Sequence, residues 1–208
     1  MLYHYQDETW RTAKQVLALI LAILILSVVL PALASDAEIT PEGGIPVITS
    51  VGRSNVKVNG VKSKHQLLRY TIPQQLLRND PDFCALMTEA DKYIGYPYVY
   101  GGSKPSVSFD CSGFVCWVFT HSGVCNTGRL GANGLYAVCR DIPRDEARPG
   151  DLVFFEKTRG ADTKGITHVG IYVGNNMMIH AGDPIGFADL KSGQWASKLY
   201  GFGRLPID

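Results

Sequence analysis

The 208-residue sequence has little excess charge of either sign, with 20 Lys and Arg residues against 19 Asp and Glu residues. A net charge of +1 excludes the basic surface that nucleic-acid binding requires, so we expect no nucleic acid among its partners. The sequence also lacks internal repeats and low-complexity segments, and its five cysteines and five histidines include no closely spaced pair of the structural zinc kind. We therefore expect one medium-sized domain with additional segments, and neither a metal nor another cofactor.

Charged residues are absent from positions 15 to 34, where an apolar run rich in Leu, Ile, Val and Ala follows Arg11 and Lys14. This pattern predicts a hydrophobic N-terminal helix. The small-residue sequence 32–34 after Pro31 favours a cleaved secretory signal, whereas the length of the run also suits a membrane anchor with its N-terminus inside. With either interpretation, the rest of the chain is predicted to lie outside the cytoplasmic membrane.

Residues 35–79 are predicted to be a linker, part of which packs on the domain that follows. Prolines and glycines between positions 41 and 46 discourage regular structure. Residues 56–62 alternate around Asn59 and Gly60, a pattern that favours a small hairpin. The globular domain is then assigned to residues 80–208, opening with a helix from Pro81 to Ile94.

The segment 109–115 places a cysteine at the start of a second helix. Asp110 is a good N-cap, apolar residues follow at helical spacing, and the helix is predicted to end near Gly123. Free backbone N–H groups and the helix macrodipole favour a thiolate at this place, which makes Cys111 a candidate nucleophile. The alternative is a buried structural thiol, since free cysteine is among the most buried residue types.

Four antiparallel strands are predicted after a loop-rich region that runs to Arg148. They cover residues 152–155, 167–173, 177–181 and 199–205, and a turn with Pro149 and Gly150 precedes the first of them. Helices followed by antiparallel strands indicate an α+β fold.

Two histidines on neighbouring predicted strands supply the base that a catalytic cysteine needs. If the hairpin loop is residues 174–176, Gly170 pairs with His180, and His168 and His180 are diagonal neighbours on one face. A two-residue loop would turn them to opposite faces, because side chains alternate along a strand. One histidine can then take the proton of Cys111 while the second orients its ring.

Five motifs together, in this order and spacing from Pro81 to Leu205, resemble the NlpC family of bacterial cell-wall endopeptidases. They are residues 97–102, 109–115, 149–155, 167–174 and 178–181. The resemblance implies a papain-like fold, with a cysteine at the start of a helix packed on an antiparallel sheet. It also implies hydrolysis of the stem peptide of peptidoglycan, commonly between γ-D-glutamate and the following diamino acid.

The resemblance assigns roles to individual residues. It implies that Cys111 is the nucleophile, His168 the base and His180 the third, orienting residue. Asp110 and Ser112 occupy positions that in some members bind the free amine of the stem peptide, and Tyr98 matches the family's tyrosine. These three are therefore predicted to bind substrate. The sequence departs from the family near Arg129, which is kept without the hydroxyl and amide side chains that often follow it.

Two other functions are compatible with these motifs. One is a catalytically silent wall-binding relative, and the other is an amidase or acyltransferase on the same fold. The predicted partners are peptidoglycan stem peptides, together with the membrane if residues 15–34 remain uncleaved. An uncleaved segment would anchor the protein at the outer face of the cytoplasmic membrane, whereas cleavage would release it to the cell wall. The remaining cysteines can pair in three ways, but we favour unoxidised thiols; they are Cys84, Cys116, Cys125 and Cys139.

Overall fold

The structure, a computed structural model, describes residues 44–207. The predicted hydrophobic helix within residues 15–34 lies outside the described residues. Within residues 44–207, no helix is long and apolar enough to cross a membrane. The chain from Ile45 onward forms one compact unit.

Five α-helices occur in the described part of the chain: α1 (Gln74–Asn79), α2 (Pro81–Asp91), α3 (Cys111–Ser122), α4 (Ala132–Val138) and α5 (Gly193–Ser197). Helix α2 begins as predicted, because the Asp80 side chain accepts a hydrogen bond from the Phe83 N–H at 2.9 Å. It ends at Asp91 rather than at the predicted Ile94, and the chain continues in single turns up to Gly95, whose φ is +94°. Helix α3 ends at Gly123 in the left-handed conformation, as predicted.

Ten strands occur in the same region: β1 (Lys57–Val58), β2 (Val61–Lys62), β3 (Ser103–Lys104), β4 (Ser108–Phe109), β5 (Arg140–Ile142), β6 (Leu152–Glu156), β7 (Ile166–Gly174), β8 (Met177–Ala181), β9 (Ile185–Asp189) and β10 (Leu199–Arg204). Strands β5 to β10 form a six-stranded antiparallel sheet in the order β5-β10-β6-β7-β8-β9. Helices packed on an antiparallel sheet confirm the α+β prediction.

The two faces of the six-stranded sheet bury separate apolar clusters. The larger cluster joins the sheet to α2 and α3 and includes Cys111. The smaller cluster, on the opposite face, includes Phe155 with Trp195 packed against it. Side chains alternate along a strand, so the rings of His168 and His180 share the face of Phe155.

The β7–β8 hairpin reaches the predicted register by a different route. Its turn contains two residues, Asn175 and Asn176, both with positive φ, rather than the predicted three. A β-bulge at Val173 adds the missing residue, since Gly174 pairs with Met177 whereas Tyr172 pairs with Met178. The bulge therefore keeps both histidines on one face despite the shorter loop.

The described part of the predicted linker, residues 44–79, packs closely on the sheet and helices and includes α1. Ile48, Ile72 and Leu77 are buried in the larger cluster, and Thr49 forms a bridge with Thr71. The predicted hairpin is confirmed as β1 and β2, with positive φ at both residues of its turn. The division of the chain at residues 34 and 79 stays a prediction.

Two regions contain more regular structure than the sequence indicated. The predicted loop before Arg148 holds α4 and the edge strand β5, and the sequence analysis missed strand β9 altogether. Helix α4 follows Gly131, which has no side chain to cap it, so the usual signal for a helix start is lacking. Strand β9 contains Gly186, where a Cβ atom would lie 2.7 Å from the Leu67 side chain. A close tertiary contact therefore explains a glycine that weakens the strand pattern.

Candidate active site

Helix α3 begins in a tightly packed N-terminal turn. Asp110 caps it by accepting a hydrogen bond from the Gly113 N–H at 2.6 Å. A Cβ at Gly113 would lie 2.1 Å from the carbonyl oxygen of Gly102, so only glycine lets the preceding loop approach this turn. The cap and this contact fix Cys111 as the first helical residue, with 2% of its surface exposed.

The thiol of Cys111 is packed against the sheet. It contacts the backbone of Val169, the residue that follows His168 on β7. Burial raises the pKa of Cys111, and the Asp110 carboxylate raises it further, whereas the backbone groups of Val169 and Ser112 oppose the rise. The backbone at the helix terminus favours the thiolate, as predicted, but desolvation outweighs this contribution and leaves the pKa of Cys111 raised.

His168 and His180 form a hydrogen-bonded pair, as predicted. Nε2 of His168 lies 2.8 Å from Nδ1 of His180, and both residues are buried. A Cβ at Gly170 would lie 2.8 Å from the sulfur of Met178 and 3.1 Å from Cβ of His180. The absence of a side chain at Gly170 therefore leaves the space that the side chains of Met178 and His180 on β8 occupy.

Two aromatic residues that the sequence analysis did not single out surround this pair. The Trp195 ring centroid lies 5.0 Å from that of His168 and 4.7 Å from that of His180, and Phe155 packs on Trp195 at 5.0 Å. Burial lowers the pKa of His168 well below its ordinary value, with the nearby His180 contributing. Burial also lowers the pKa of His180 to about 3. Both rings are therefore neutral at physiological pH.

Asp110 and Ser112 are joined to each other and to Arg129. The Ser112 hydroxyl donates to Asp110 at 3.1 Å. The Arg129 guanidinium donates to both oxygens of Asp110, at 3.1 and 2.9 Å, and to the Ser112 hydroxyl at 3.0 Å. Arg129 thus bridges the side chains of the two residues that flank Cys111.

Three further residues lie near the nucleophile, namely Tyr98, Tyr100 and Arg159. Burial raises the pKa of the half-buried Tyr98, and the nearby Cys111 contributes. The guanidinium carbon of Arg159 lies 4.8 Å from the ring centroid of Tyr100, a cation–π contact. Arg159 belongs to the loop between β6 and β7, where no sequence pattern distinguished it from other charged loop residues.

Two adjoining cavities meet at these residues. The larger, about 730 Å³, is lined by Tyr98 and both histidines, and the smaller, about 480 Å³, by Cys111. Three residues line both cavities, namely Tyr100, Arg159 and Thr167. The candidate nucleophile and the candidate bases thus border one bipartite cleft.

The structure joins some of the predicted site residues more directly than others. His168 is bonded to His180, and Asp110 to Ser112. Within residues 44–207, no hydrogen bond links the sulfur of Cys111 to either imidazole, and the approach of thiol to base stays a prediction. Such bonds are often long before substrate binds.

A buried cysteine that opens a helix, together with a hydrogen-bonded histidine pair on an antiparallel sheet, defines a mixed α+β protein with a candidate cysteine–histidine site. The family model of the NlpC/P60 family matches residues 95–204, which is more than half of the chain. The chain belongs to the NlpC/P60 family.

Characterised relatives share this region. Bacillus subtilis bifunctional muramidase/DL-endopeptidase CwlT is 47% identical over 121 residues, which is 58% of this chain and 36% of that protein. B. subtilis gamma-DL-glutamyl hydrolase is 39% identical over 121 residues, 57% of this chain and 28% of that protein. A Staphylococcus aureus crystal structure described as similar to a lipoprotein of the NLP/P60 family superposes with a TM-score of 0.58 and 43% identity, covering 62% of this chain and 43% of that one. The chain thus spans less than half of the length of each of these relatives.

Proposed function

We propose that this protein is a cysteine endopeptidase that hydrolyses the stem peptide of peptidoglycan at the bond between γ-D-glutamate and the diamino acid. Family membership supports the peptidase class, and two relatives carry the names DL-endopeptidase and gamma-DL-glutamyl hydrolase. The observation that carries the proposal is the 2.8 Å hydrogen bond between His168 and His180. His168 lies next to Val169, whose backbone contacts Cys111.

The first stage is acylation of Cys111. Its sulfur attacks the amide carbonyl and forms a C–S bond, while the thiol proton passes to Nδ1 of His168. Because the pKa of Cys111 is raised and that of His168 is lowered, both groups start neutral, and the proton moves only as the bond forms. The backbone N–H of Cys111, at the helix N-terminus, is placed to stabilise the oxyanion.

The second stage releases both products. His168 returns the proton to the leaving amine as the C–N bond breaks, which leaves a thioester on Cys111. Water, deprotonated by His168, then attacks the thioester and regenerates the thiol. His180 holds the ring of His168 in the required orientation by accepting the Nε2 proton at its own Nδ1, so that Nδ1 of His168 carries the lone pair.

Substrate binding involves the residues around Cys111. Tyr98 borders the larger cavity, and Asp110 and Ser112 border the smaller one. Since Arg129 is bonded to both Asp110 and Ser112, we assign them an indirect role, in which they hold Arg129 against the substrate.

The cellular setting follows from the substrate. Peptidoglycan lies outside the cytoplasmic membrane, so residues 1–34 would serve as a signal peptide or anchor and residues 35–79 as the connection to the peptidase domain, residues 80–208. Residues 45–79 belong to the same compact unit as that domain, so this part of the connection packs on the peptidase domain.

Mass spectrometry of purified muropeptides incubated with the full chain tests this proposal. We expect new products that end in a γ-glutamyl carboxylate or begin with the free amine of the diamino acid. A Cys111→Ala variant, checked for native folding by circular dichroism, should yield neither. Trp117 lies on the same helix away from both cavities, so Trp117→Phe serves as a matched variant that should retain activity.

Other outcomes would replace the proposal. Release of the intact stem peptide from the glycan would identify an amidase, and transfer of the acyl group to an added amine would identify an acyltransferase. Binding of muropeptides without any product would identify a catalytically silent relative.

A further inference from the structure

The cavity beside Cys111 carries an excess of positive charge. Three cations and one carboxylate line it, namely Arg129, Arg159, Lys164 and Asp110. The carboxylate of Asp110 is only 6% exposed and is bonded to the N–H groups of Gly101 and Gly113 as well as to Arg129. The single negative charge of this cavity is therefore already matched by Arg129.

Arg159 and Lys164 are the two cations left over. In the described part of the chain, neither is in an ion pair, whereas Arg129 pairs with Asp110 and Lys157 with Glu156. A cation at the border of a partly enclosed cavity is stabilised when an anion enters. The cavity is thus electrostatically suited to an anionic group.

Arg159 is the better placed of the two. Its guanidinium contacts the ring of Tyr100, and it lines both the cavity that contains the histidine pair and the cavity that contains Cys111. It opposes the effect of burial on the pKa of Cys111 and adds to the effect of burial on the pKa of His168. A carboxylate bound by Arg159 would consequently lie next to the bond that is cleaved.

We propose that Arg159 binds a free carboxylate of the substrate beside the scissile amide and makes the enzyme select unamidated stem peptides. The inference rests on the proposed function and adds the substrate class. A planar guanidinium binds a carboxylate through two charge-assisted hydrogen bonds. A carboxamide has no negative charge, and its NH2 group replaces one of the two oxygens that accept these hydrogen bonds. Two groups of the stem peptide have this chemistry, the α-carboxylate of the γ-linked glutamate and the carboxylate of the diamino acid.

Three synthetic stem peptides show which of the two carboxylates Arg159 binds. One has both carboxylates free, one carries an amide at the glutamate α-position, and one carries an amide at the diamino acid. We expect kcat/KM of the full chain to fall about tenfold or more for one of the amidated peptides, which then identifies the carboxylate that is bound.

Variants of the same loop assign the effect to Arg159. Arg159→Gln should bring the ratio of kcat/KM for the free and amidated peptides close to one, and Arg159→Lys should keep part of it. This ratio is measured because a change in the reactivity of the Cys111 thiol would alter kcat/KM for the free and the amidated peptide by the same factor and leave the ratio unchanged. Lys157→Gln is the matched control, since Lys157 pairs with Glu156 and lines neither cavity, and its ratio should equal that of the wild type.

Each remaining result contradicts the inference. Equal kcat/KM for all three peptides would show that no carboxylate is selected, and an undiminished ratio in Arg159→Gln would show that another residue selects it. If none of the peptides is hydrolysed, the proposed function fails, and the inference fails with it. Calorimetric titration of Cys111→Ala with the free and amidated peptides measures the selection without turnover and should show the same preference.

Discussion

Nε2 of His168 lies 2.8 Å from Nδ1 of His180, and both rings are buried against Trp195. The pairing leaves Nδ1 as the only nitrogen of His168 available to a proton from another residue. Because desolvation keeps both rings neutral, one ring donates and the other accepts in this hydrogen bond, and the proposed mechanism assigns the donor to His168 and the acceptor to His180.

Replacing the orienting histidine should affect turnover more than binding. His180→Ala removes the acceptor of the Nε2 proton, and we expect kcat to fall at least about tenfold with little change in KM. His180→Asn keeps an oxygen acceptor and should retain more activity than the alanine variant. Steady-state kinetics on a stem peptide measures both. An increase in KM alone would assign His180 to substrate binding instead.

Trp195 should set the acidic limit of activity. Trp195→Ala admits water to the histidine pair, which relieves the desolvation that lowers the pKa of His168. The base must be neutral, so a higher pKa moves the acidic limb of the pH profile of kcat/KM to higher pH. Trp195→Phe keeps the ring and should shift the limb less. Superimposable profiles for wild type and Trp195→Ala would contradict this role.

The histidine pair should make the fold sensitive to mild acid. His180 has a folded-state pKa of about 3, below its ordinary value of about 6.5, so the unfolded state binds its proton first as the pH falls. This lowers the free energy of unfolding by about 1.4 kcal/mol per pH unit below pH 6.5, or about 2 kcal/mol at pH 5.

Urea denaturation between pH 7 and pH 5 tests this sensitivity. His180→Asn lacks the titrating ring and should show a smaller loss of stability over the same range. The wild type and this variant would have parallel pH dependences if His180 were not buried as a neutral ring.

The Arg129–Asp110 contact should contribute to stability. Arg129→Gln leaves a buried carboxylate without its cation, and we expect the free energy of unfolding to fall by about 1–3 kcal/mol. The lower part of this range is expected because the Arg129 side chain is 43% exposed and water screens its charge. A double-mutant cycle with Asp110→Asn measures the coupling between the two side chains. A coupling energy near zero would show that the two residues act independently.

The local parts of the site were predictable from the sequence, because each depends on residues a few positions apart. The cap of α3 by Asp110 and the turn at Gly150 follow from rules that act over one turn of chain. The indole of Trp195 and the guanidinium of Arg159 reach the site through tertiary packing, which leaves no periodic pattern to read. The burial that raises the pKa of Cys111 also comes from distant segments, so the sequence shows only the opposing effect of the helix terminus.

The register of β7 and β8 was predicted from a wrong loop length. A three-residue loop and a two-residue turn with a bulge give the same pairing, and the sequence does not distinguish them. Strand β9 and helix α4 were missed because a glycine inside the strand, packed against the Leu67 side chain, and a helix start without a side-chain cap remove the usual signals.

The bulge at Val173 separates the length of the hairpin from the orientation of its second strand. With the same chain length and the same asparagine turn but no bulge, Val173 would pair with Met178, and β8 would present its opposite face. Ile179 and Ala181 would then face the aromatic side, and the imidazole of position 180 would point into the helical core. Deleting Val173 would instead leave Tyr172 opposite Met178 and both histidines on one face, so the number of residues between the two motifs does not by itself distinguish active from inactive family members.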